Sequence, residues 1–485
     1  MAGIVGIASE NQDEWVRAAL NKIDHRGRAG KAVGSHHGAS LGQVWPSAQE
    51  LFASEIEDQA IVLDGEIHNW ATLSTGATCP AEALATAYRE EGPKLLAALD
   101  GPFALAIADE EGMFLARDSL GKSPLYYGHS DKRMCFASEL KALLHGEADV
   151  SEFPPGHYYH PREGLVRYAQ IEKQPTLDLP TEEVAVELRN RLVRSVRKRV
   201  RGGDVGAWLS GGLDSATLTA LAGRQVPGLE TFGAGVEGAP DLEYARAVAD
   251  YVGTEHHERL CTLKEMLAVL PEVIYHLESF DALLVRSSIM NFLVGKMAAE
   301  HVPAVLSGEG GDELFAGYSY LKKMDLSELP DELVEITGRL HNTALQRVDR
   351  CSASHGLVAR TGFLDREVLD YALQIPAEMK LRSRANGAPV EKWILRRAMD
   401  GLLPDEVLDR EKAKFWEGSG VGEMLADRAE SVISDAEFAA ERALADGIRL
   451  RTKEELFYYR IFRDQFGGAV DPGLVGRTKG APVTA

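Results

Sequence analysis

"GAWLSGGLDSATL", residues 206–218, decides the fold: an apolar, strand-like run breaks at Trp208-Leu209 into Ser-Gly-Gly-Leu-Asp-Ser and then into helix-forming residues. At the end of a buried strand, Gly211 and Gly212 let the backbone turn tightly and bring N–H groups against an anion. The helix that follows adds the positive end of its dipole. With the hydroxyls of Ser210 and Ser215 and the backbone of Leu213, the turn reads as a cradle for pyrophosphate. Asp214 has no reason to face phosphate unless a cation lies between them, so it is assigned to Mg²⁺. The spacing is neither that of a Walker loop nor that of a dinucleotide fingerprint. The competing reading, a β-to-α turn with glycines for geometry alone, weakens when a second glycine turn follows a second apolar run. "VLSGEGGDELFAGY" (305–318) holds Gly308 and three carboxylates, Glu309, Asp312 and Glu313. Beside a pyrophosphate, such groups make sense with a metal or as acids and bases.

Outward from these turns the order is strand "DVGAWL", helix "SATLTALAGR", strand "LETFGAGV", helix "DLEYARAVADYVG", strand "HHERLC", long helices and strand "VPAVLS". Alternating β and α predicts a parallel sheet wrapped by helices, with ligands at the carboxyl ends of its strands. Residues 1 to about 170 differ: short apolar runs such as "GIVGIA", "QAIVLDGEI", "PFALAIAD" and "MFLARD" are separated by Gly, Asp and Asn turns. The proline-bearing "IEKQPTLDLPTEEV" (171–184) is the expected linker, and the small, polar stretch 466–485 is expected to be loose.

The chain of 485 residues exceeds what one core sustains, which favours two domains. No apolar run approaches the roughly 18 residues of a membrane span. The start, "MAGIVGIASENQDEW", has no basic segment followed by a long apolar one, so the expected compartment is the cytoplasm. Four widely spaced cysteines lack the spacing of a zinc site or a disulfide framework. A net charge of −21 disfavours a nucleic-acid partner. The one basic cluster, "LRNRLVRSVRKRVRGG" (188–203), keeps Leu188, Leu192, Val196 and Val200 at helical spacing. It reads as a surface helix with its arginines on the wet face rather than as an anion site.

With both glycine turns quoted, the chain resembles the asparagine synthetase family, whose synthetase domain carries SGGLDS and a later LSGEG-x-DE-x-F-x-GY segment. Both stand here, at 209–215 and 306–318, and "PDLEYARAVADYVGTEHHE" (240–258), "RVDRCSASHGLVARTGFLD" (347–365) and "REKAKFWEGSGVG" (410–422) extend the resemblance over nearly the whole chain. The resemblance implies an amino-terminal α-β-β-α sandwich of the amino-terminal-nucleophile (Ntn-hydrolase-like) type over 1–175. It also implies an α/β parallel-sheet domain of the PP-loop ATP pyrophosphatase type over 180–465. The implied reaction uses ATP and Mg²⁺: a carboxylate is adenylated with release of pyrophosphate, and an amine attacks the acyl-adenylate to give amide and AMP. In this scheme Asp214 and Asp312 hold Mg²⁺, and Glu309 accepts a proton from the attacking nitrogen. Lys412 stabilises charge at the acyl-phosphate centre, with Lys414 as the competing assignment. Arg286 in "SFDALLVRSS" marks the acyl-substrate region.

The family's "MCGI" start, with its nucleophilic Cys, is "MAGI" here, and Ala2 has no nucleophile. The family's glutamine-clamping arginine has no counterpart, since no arginine occurs between Arg28 and Arg89. Its Asn-Gly-Glu-Ile is "DGEIHN" (64–69), and its Thr-Gly-Ser-Asp is "TGAT" (75–78). The fold markers "DHRG" (24–27), "DGPFALAIAD" (100–109), "RDSLGKSPLYY" (117–127) and "ASELKAL" (137–143) persist. The expectation is a retained, catalytically dead glutaminase domain in which Glu66 and Asn69 are structural remnants. Nitrogen then arrives as ammonia, from an ammonia-supplying partner, or as an amine on another molecule or on the acid itself, as in the related β-lactam and carbapenam synthetases. Glu309 in its loop speaks for the asparagine-synthetase kind. Against plain aspartate as the acid, the family's Thr-Thr-Ile-Arg is "LLVR" (283–286). Leu283 and Leu284 replace two hydroxyls, which favours a larger or less polar acid. A reading of another class, a non-catalytic nucleotide-binding subunit, does not explain the retained Glu309 and Lys412. A second copy of the chain stands as a candidate partner, and no membrane is expected.

Overall fold

The structure, a computed structural model, describes residues 2–46, 53–56, 58–144, 149–384, 388–410, 421–444 and 447–479. The chain divides into two compact units: Met1–Ile171 with Ala353–Gly356 and Phe466–Leu474, and Glu172–Ser352 with Leu357–Gln465 and Val475–Ala485. Among the described residues no helix is long and apolar enough to cross a membrane.

The first unit holds two six-stranded antiparallel sheets. One has the order Ser151–Glu152, Tyr126–Ser130, Arg133–Ala137, Gly3–Ile7, Ala39–Trp45, Gly30–His36. The other runs Gly164–Arg167, His157–His160, Gly112–Arg117, Phe103–Asp109, Gln59–Gly65, Ala53–Ile56. All four apolar runs quoted above lie on these strands. Their alternation sends one set of side chains between the sheets, where Ile4, Leu41 and Phe136 meet Val62, Ala106 and Leu115. The other set faces outward: Ile61, Leu105 and Phe114 pack under the helix Pro80–Glu91 with Leu84 and Tyr88. On the first sheet, Gly42 leaves room for the helix Asp13–Lys22, since a Cβ there would lie 2.6 Å from Val16 and 2.7 Å from Leu20. The layers are therefore α-β-β-α.

The second unit is built on a five-stranded parallel sheet, ordered Glu255–Leu260, Glu230–Gly235, Gly206–Trp208, Ala304–Ser307, Val358–Thr361. The first strand in the chain lies at the centre. The next two extend the sheet to one side and the last two to the other, so the chain reverses direction at the end of Gly206–Trp208. Such a switch point opens a crevice beyond the carboxyl ends of the strands. The helix Leu213–Gly223 is buried along most of its length, as a helix covering the centre of a sheet must be. The edge strand Val358–Thr361 went unread because "LVART" offers no alternation over so short a run.

The basic helix spans Thr181–Arg199, and Leu188, Leu192 and Val196 are fully buried. Two of its arginines are ion-paired, Arg191 with Glu187 and Arg194 with Glu187 and Glu367, while Arg197 is exposed. Arg199 departs from the expected wet face. It is buried and donates to Asp365 at 2.9 Å, because the helix's last turn runs under the amino end of the helix Arg366–Gln374. Residues 475–479, inside the stretch expected to be loose, are held within the second unit. Thr478 donates to Asp281, Arg477 pairs with Glu455, and Lys479 pairs with Glu332.

Candidate functional site

The first glycine turn leaves the central strand at Leu209 and enters a helix at Leu213. Gly211 has φ +70, and a Cβ there would lie 2.6 Å from the carbonyl oxygen of Asp241, so both the conformation and the space require glycine. Gly212 is the residue before the helix, and its missing Cβ would face open space apart from the Ser210 hydroxyl at 3.5 Å. Inside the turn, the Ser215 hydroxyl donates to the Gly212 carbonyl at 3.0 Å and accepts from the Ser210 amide at 3.2 Å. The two serine hydroxyls lie 3.1 Å apart. These bonds fix the loop with backbone amides at a helix N-terminus, an arrangement suited to an anion. A further guanidinium holds the loop from outside. Arg410 donates to the Gly211 carbonyl at 3.0 Å, pairs with Asp241 and stacks over Tyr244 at 4.1 Å.

The second turn follows the neighbouring strand Ala304–Ser307 and reaches the first through missing side chains. A Cβ on Gly308 would lie 3.0 Å from the Ser215 amide nitrogen, and one on Gly311 would lie 2.4 Å from Asp214 Oδ1. Gly310, at φ +97, makes the left-handed bend that starts the short helix Gly311–Leu314. Asp312 lies on that helix, and the absent Cβ of Gly317 leaves its carboxylate room.

Asp214 and Asp312 converge on one cation already in the chain. Lys392 Nζ donates to Asp214 and lies 2.5 Å from Asp312 Oδ1, with its side chain 2 % exposed. Two carboxylates in glycine-lined space form a donor set that suits a hard divalent cation such as Mg²⁺, which takes oxygen ligands. Lys392 supplies the compensating charge. Glu309, between the glycines of the second turn, is paired with Arg347 from the helix Ala344–Ala353. The neighbouring Glu313 is fully enclosed. Burial, then the negative Asp312, push its carboxyl up to about 7, while the Tyr318 hydroxyl donates to it at 2.5 Å.

Leu283, Leu284 and Arg286 stand on one turn of the helix Ala282–Ala298, whose amino end is capped by Asp281 accepting from the Leu284 amide at 3.0 Å. Both leucines are buried. The Arg286 guanidinium is committed to Glu454 through Nε and Nη2, and Tyr458 donates to the same carboxylate at 2.7 Å. Lys412 and Lys414 lie outside the described residues. The structure thus gathers Ser210, Gly211, Gly212, Leu213, Asp214, Ser215, Gly308 and Asp312 around one crevice. It adds Lys392, Arg347 and Arg410, which sequence reasoning missed. Arg347 and Arg410 had a signal, each at the head of a stretch that carries the resemblance, "RVDRCSASHGLVARTGFLD" and "REKAKFWEGSGVG"; Lys392 had none.

In the first unit, Ala2 is buried at the amino end of the strand Gly3–Ile7, and its carbonyl accepts from Arg26 Nε at 2.7 Å. Arg26 donates onward to Glu139 at 2.9 Å and Asp64 at 3.0 Å. Lys141 and His25 also meet Glu139, and the Ser138 hydroxyl donates to Asp64 at 3.0 Å. Asn69 ties its own loop, donating to the Ala98 carbonyl at 2.8 Å and accepting from the Asp100 amide at 2.9 Å.

Comparison with known proteins agrees with this division. The Asparagine synthase family model matches residues 187–335 and 326–473, and the Glutamine amidotransferase domain model matches residues 1–160. Asparagine synthetase [glutamine-hydrolyzing] 2 of Arabidopsis thaliana is 35% identical over 87% of this chain and 78% of its own length. The probable asparagine synthetase [glutamine-hydrolyzing] of Schizosaccharomyces pombe is 35% identical over 96% of this chain and 93% of its own. Asparagine synthetase B [glutamine-hydrolyzing] of Escherichia coli is 33% identical over 90% and 84%. Similarity of this extent, spanning both units and both glycine turns, means that the chain belongs to the asparagine synthetase family.

Proposed function

We propose that this chain forms amide bonds by ATP-dependent adenylation of a carboxylate, and that its nitrogen comes from ammonia or an amine and not from glutamine. The observation that carries the first part is the convergence of Asp214 and Asp312, from two glycine turns, on Lys392 at a sheet's switch point. In this reading the turn from Ser210 to Ser215, with Gly308, holds the pyrophosphate of ATP, and Asp214 and Asp312 hold Mg²⁺. When bound, that ion supplies positive charge to the departing pyrophosphate. A carboxylate oxygen attacks the α-phosphorus and pyrophosphate leaves. The amine then attacks the acyl carbon, its proton passes to Glu309 Oε, and AMP leaves. Arg347 orients Glu309, and Lys412 stabilises charge at the acyl-phosphate. Arg286, Leu283 and Leu284 lie toward the acid, whose apolar neighbours favour a larger or less polar carboxylate than aspartate.

The second part rests on Ala2. A methyl group stands where the family places its nucleophile, and the arginine clamp and the Thr-Gly-Ser-Asp carboxylate are missing too. Residues 1–175 then act as a retained, inactive glutaminase-like domain and residues 180–465 as the adenylating domain. The test is pyrophosphate release from ATP–Mg²⁺ with a panel of carboxylates that includes aspartate, each with ammonium, with glutamine or with neither. The expected result is release that needs both acid and ammonium or an amine, with glutamine inert. Glutamate formed from glutamine in step with pyrophosphate would refute the nitrogen assignment. ATP binding without turnover for any pair would refute catalysis and leave a nucleotide-binding subunit.

A further inference from the structure

The amino-terminal edge of the parallel sheet carries a group of side chains that the adenylation chemistry does not use. Glu230 opens the strand Glu230–Gly235. His257 lies on the adjacent strand Glu255–Leu260, in register with Phe232 and so on the same face as Glu230. His301 follows the helix Ala282–Ala298, and its amide donates to the Ala298 carbonyl at 3.0 Å just before the strand Ala304–Ser307. Three separate elements thus deliver one carboxylate and two imidazoles to one point.

Glu230 and His301 are hydrogen-bonded there, and the three side chains lie close enough to share one ion. Glu230 Oε2 lies 2.8 Å from His301 Nδ1 and 3.1 Å from His257 Nε2, and one ligand atom from each residue lies within 4.8 Å of the others. Nε2 of His257 is buried, and its approach to Glu230 lacks hydrogen-bond geometry. With no proton between them, an imidazole nitrogen and a carboxylate oxygen so placed repel each other, and a cation between them makes the contact favourable. The rings are held in place: His257 stacks on Phe232 at 5.2 Å and 16°, and His301 meets the same ring edge-on at 5.5 Å. Glu255, with Oε1 4.0 Å from His257 Nε2, adds negative charge. The His301 side chain is 34 % exposed, which leaves one side open to water.

We propose that Glu230, His257 and His301 form a binding site for a zinc-class divalent cation, with water as the fourth ligand. Two imidazoles and one carboxylate are ligands that Zn²⁺ takes readily at about 2.0–2.2 Å, whereas Mg²⁺ prefers oxygen alone. Seating the ion requires that Glu230 Oε2 draw back by a few tenths of an ångström from each imidazole nitrogen. Because every strand of the sheet points the same way, this site lies at the end opposite the glycine turns, and its ion is distinct from any at Asp214 and Asp312. It joins two strands and the crossover into a third, which makes it a staple on the sheet.

The experiment is titration of chelator-treated full-length protein with Zn²⁺ against a chromophoric competitor, in excess Mg²⁺ to fill oxygen-ligand sites, with Co²⁺ as a second probe of geometry. Wild-type protein is expected to bind one Zn²⁺ per chain and to show the visible absorption of four-coordinate Co²⁺. His257→Gln and His301→Ala should each weaken Zn²⁺ binding at least about tenfold, while His36→Ala with His37→Ala, at a turn in the first unit, should not. Circular dichroism and unchanged ATP binding establish that the variants are folded. The exposed His301→Ala keeps the test valid if His257→Gln is unstable. Absence of stoichiometric Zn²⁺ binding, or its persistence in folded His301→Ala, would overturn the site.

Discussion

Lys392 is buried with its backbone in the left-handed region at φ 55, and both features follow from what its ammonium touches. Its amide donates to the Phe315 carbonyl at 3.0 Å, which pins the backbone beside the second turn and aims the side chain between Asp214 and Asp312. Asp214→Asn would leave Lys392 and Asp312 as a one-to-one pair, so the fold should tolerate it. Pyrophosphate release should nonetheless fall at least about 100-fold, the usual scale for losing one charge-stabilising group, in a coupled pyrophosphate assay. Ala2→Cys should not produce glutamate from glutamine, because restoring a thiol restores neither the arginine clamp nor the missing carboxylate. Glutamate measured by a dehydrogenase assay would contradict that. The turn formed by contiguous residues, Ser210 to Ser215, was legible because its own glycines and hydroxyls dictate its shape. Lys392 was not: it lies 178 positions from Asp214, and no spacing rule connects a lysine in "VEKWILRRA" with a distant glycine turn.

At the scale of elements, periodicity located four of the five strands of the parallel sheet, and the helices Leu213–Gly223 and Pro240–Val252, to within a residue or two, since each strand is a short apolar run bounded by turn residues. It misjudged Arg199, because amphipathic spacing reports which face is apolar and not which polar residue another helix will cover. Asp365 covers it, and also accepts from the Glu367 amide at 3.1 Å as the cap of the helix Arg366–Gln374. Burial pushes the Asp365 carboxyl up, but Arg199 and then Lys198 outweigh it and hold it at about 2, below an ordinary 3.8. A depressed carboxylate stabilises the fold fully above its unfolded value, and that contribution is lost as pH falls toward the folded one. Asp365→Asn should therefore lower stability by about 3 kcal/mol at neutral pH, leaving Arg199 buried without its counter-charge. The gap between variant and wild type in urea denaturation should narrow below about pH 4.

Over the whole molecule, the charge of −21 and the pairing of Arg191, Arg194 and Arg199 with Glu187, Glu367 and Asp365 leave little to attract polyanions. Fluorescence anisotropy of labelled duplex DNA should not change on adding the protein at physiological salt. The two-part composition of the chain was legible because antiparallel, turn-rich sheets and alternating βα units have different sequence rhythms. The layering of the first unit came through resemblance and not through rhythm. The order of the parallel sheet has a kinetic consequence. The strand Gly206–Trp208 finds one partner at Thr231 and Phe232, soon after it in the chain, but its other edge waits for Val305 and Leu306, about 100 residues later. During synthesis that edge emerges from the ribosome long before it can be covered, and an uncovered strand edge recruits other chains. Refolding from denaturant should accordingly be slow and lose yield as protein concentration rises, with light scattering appearing before the native near-ultraviolet signal.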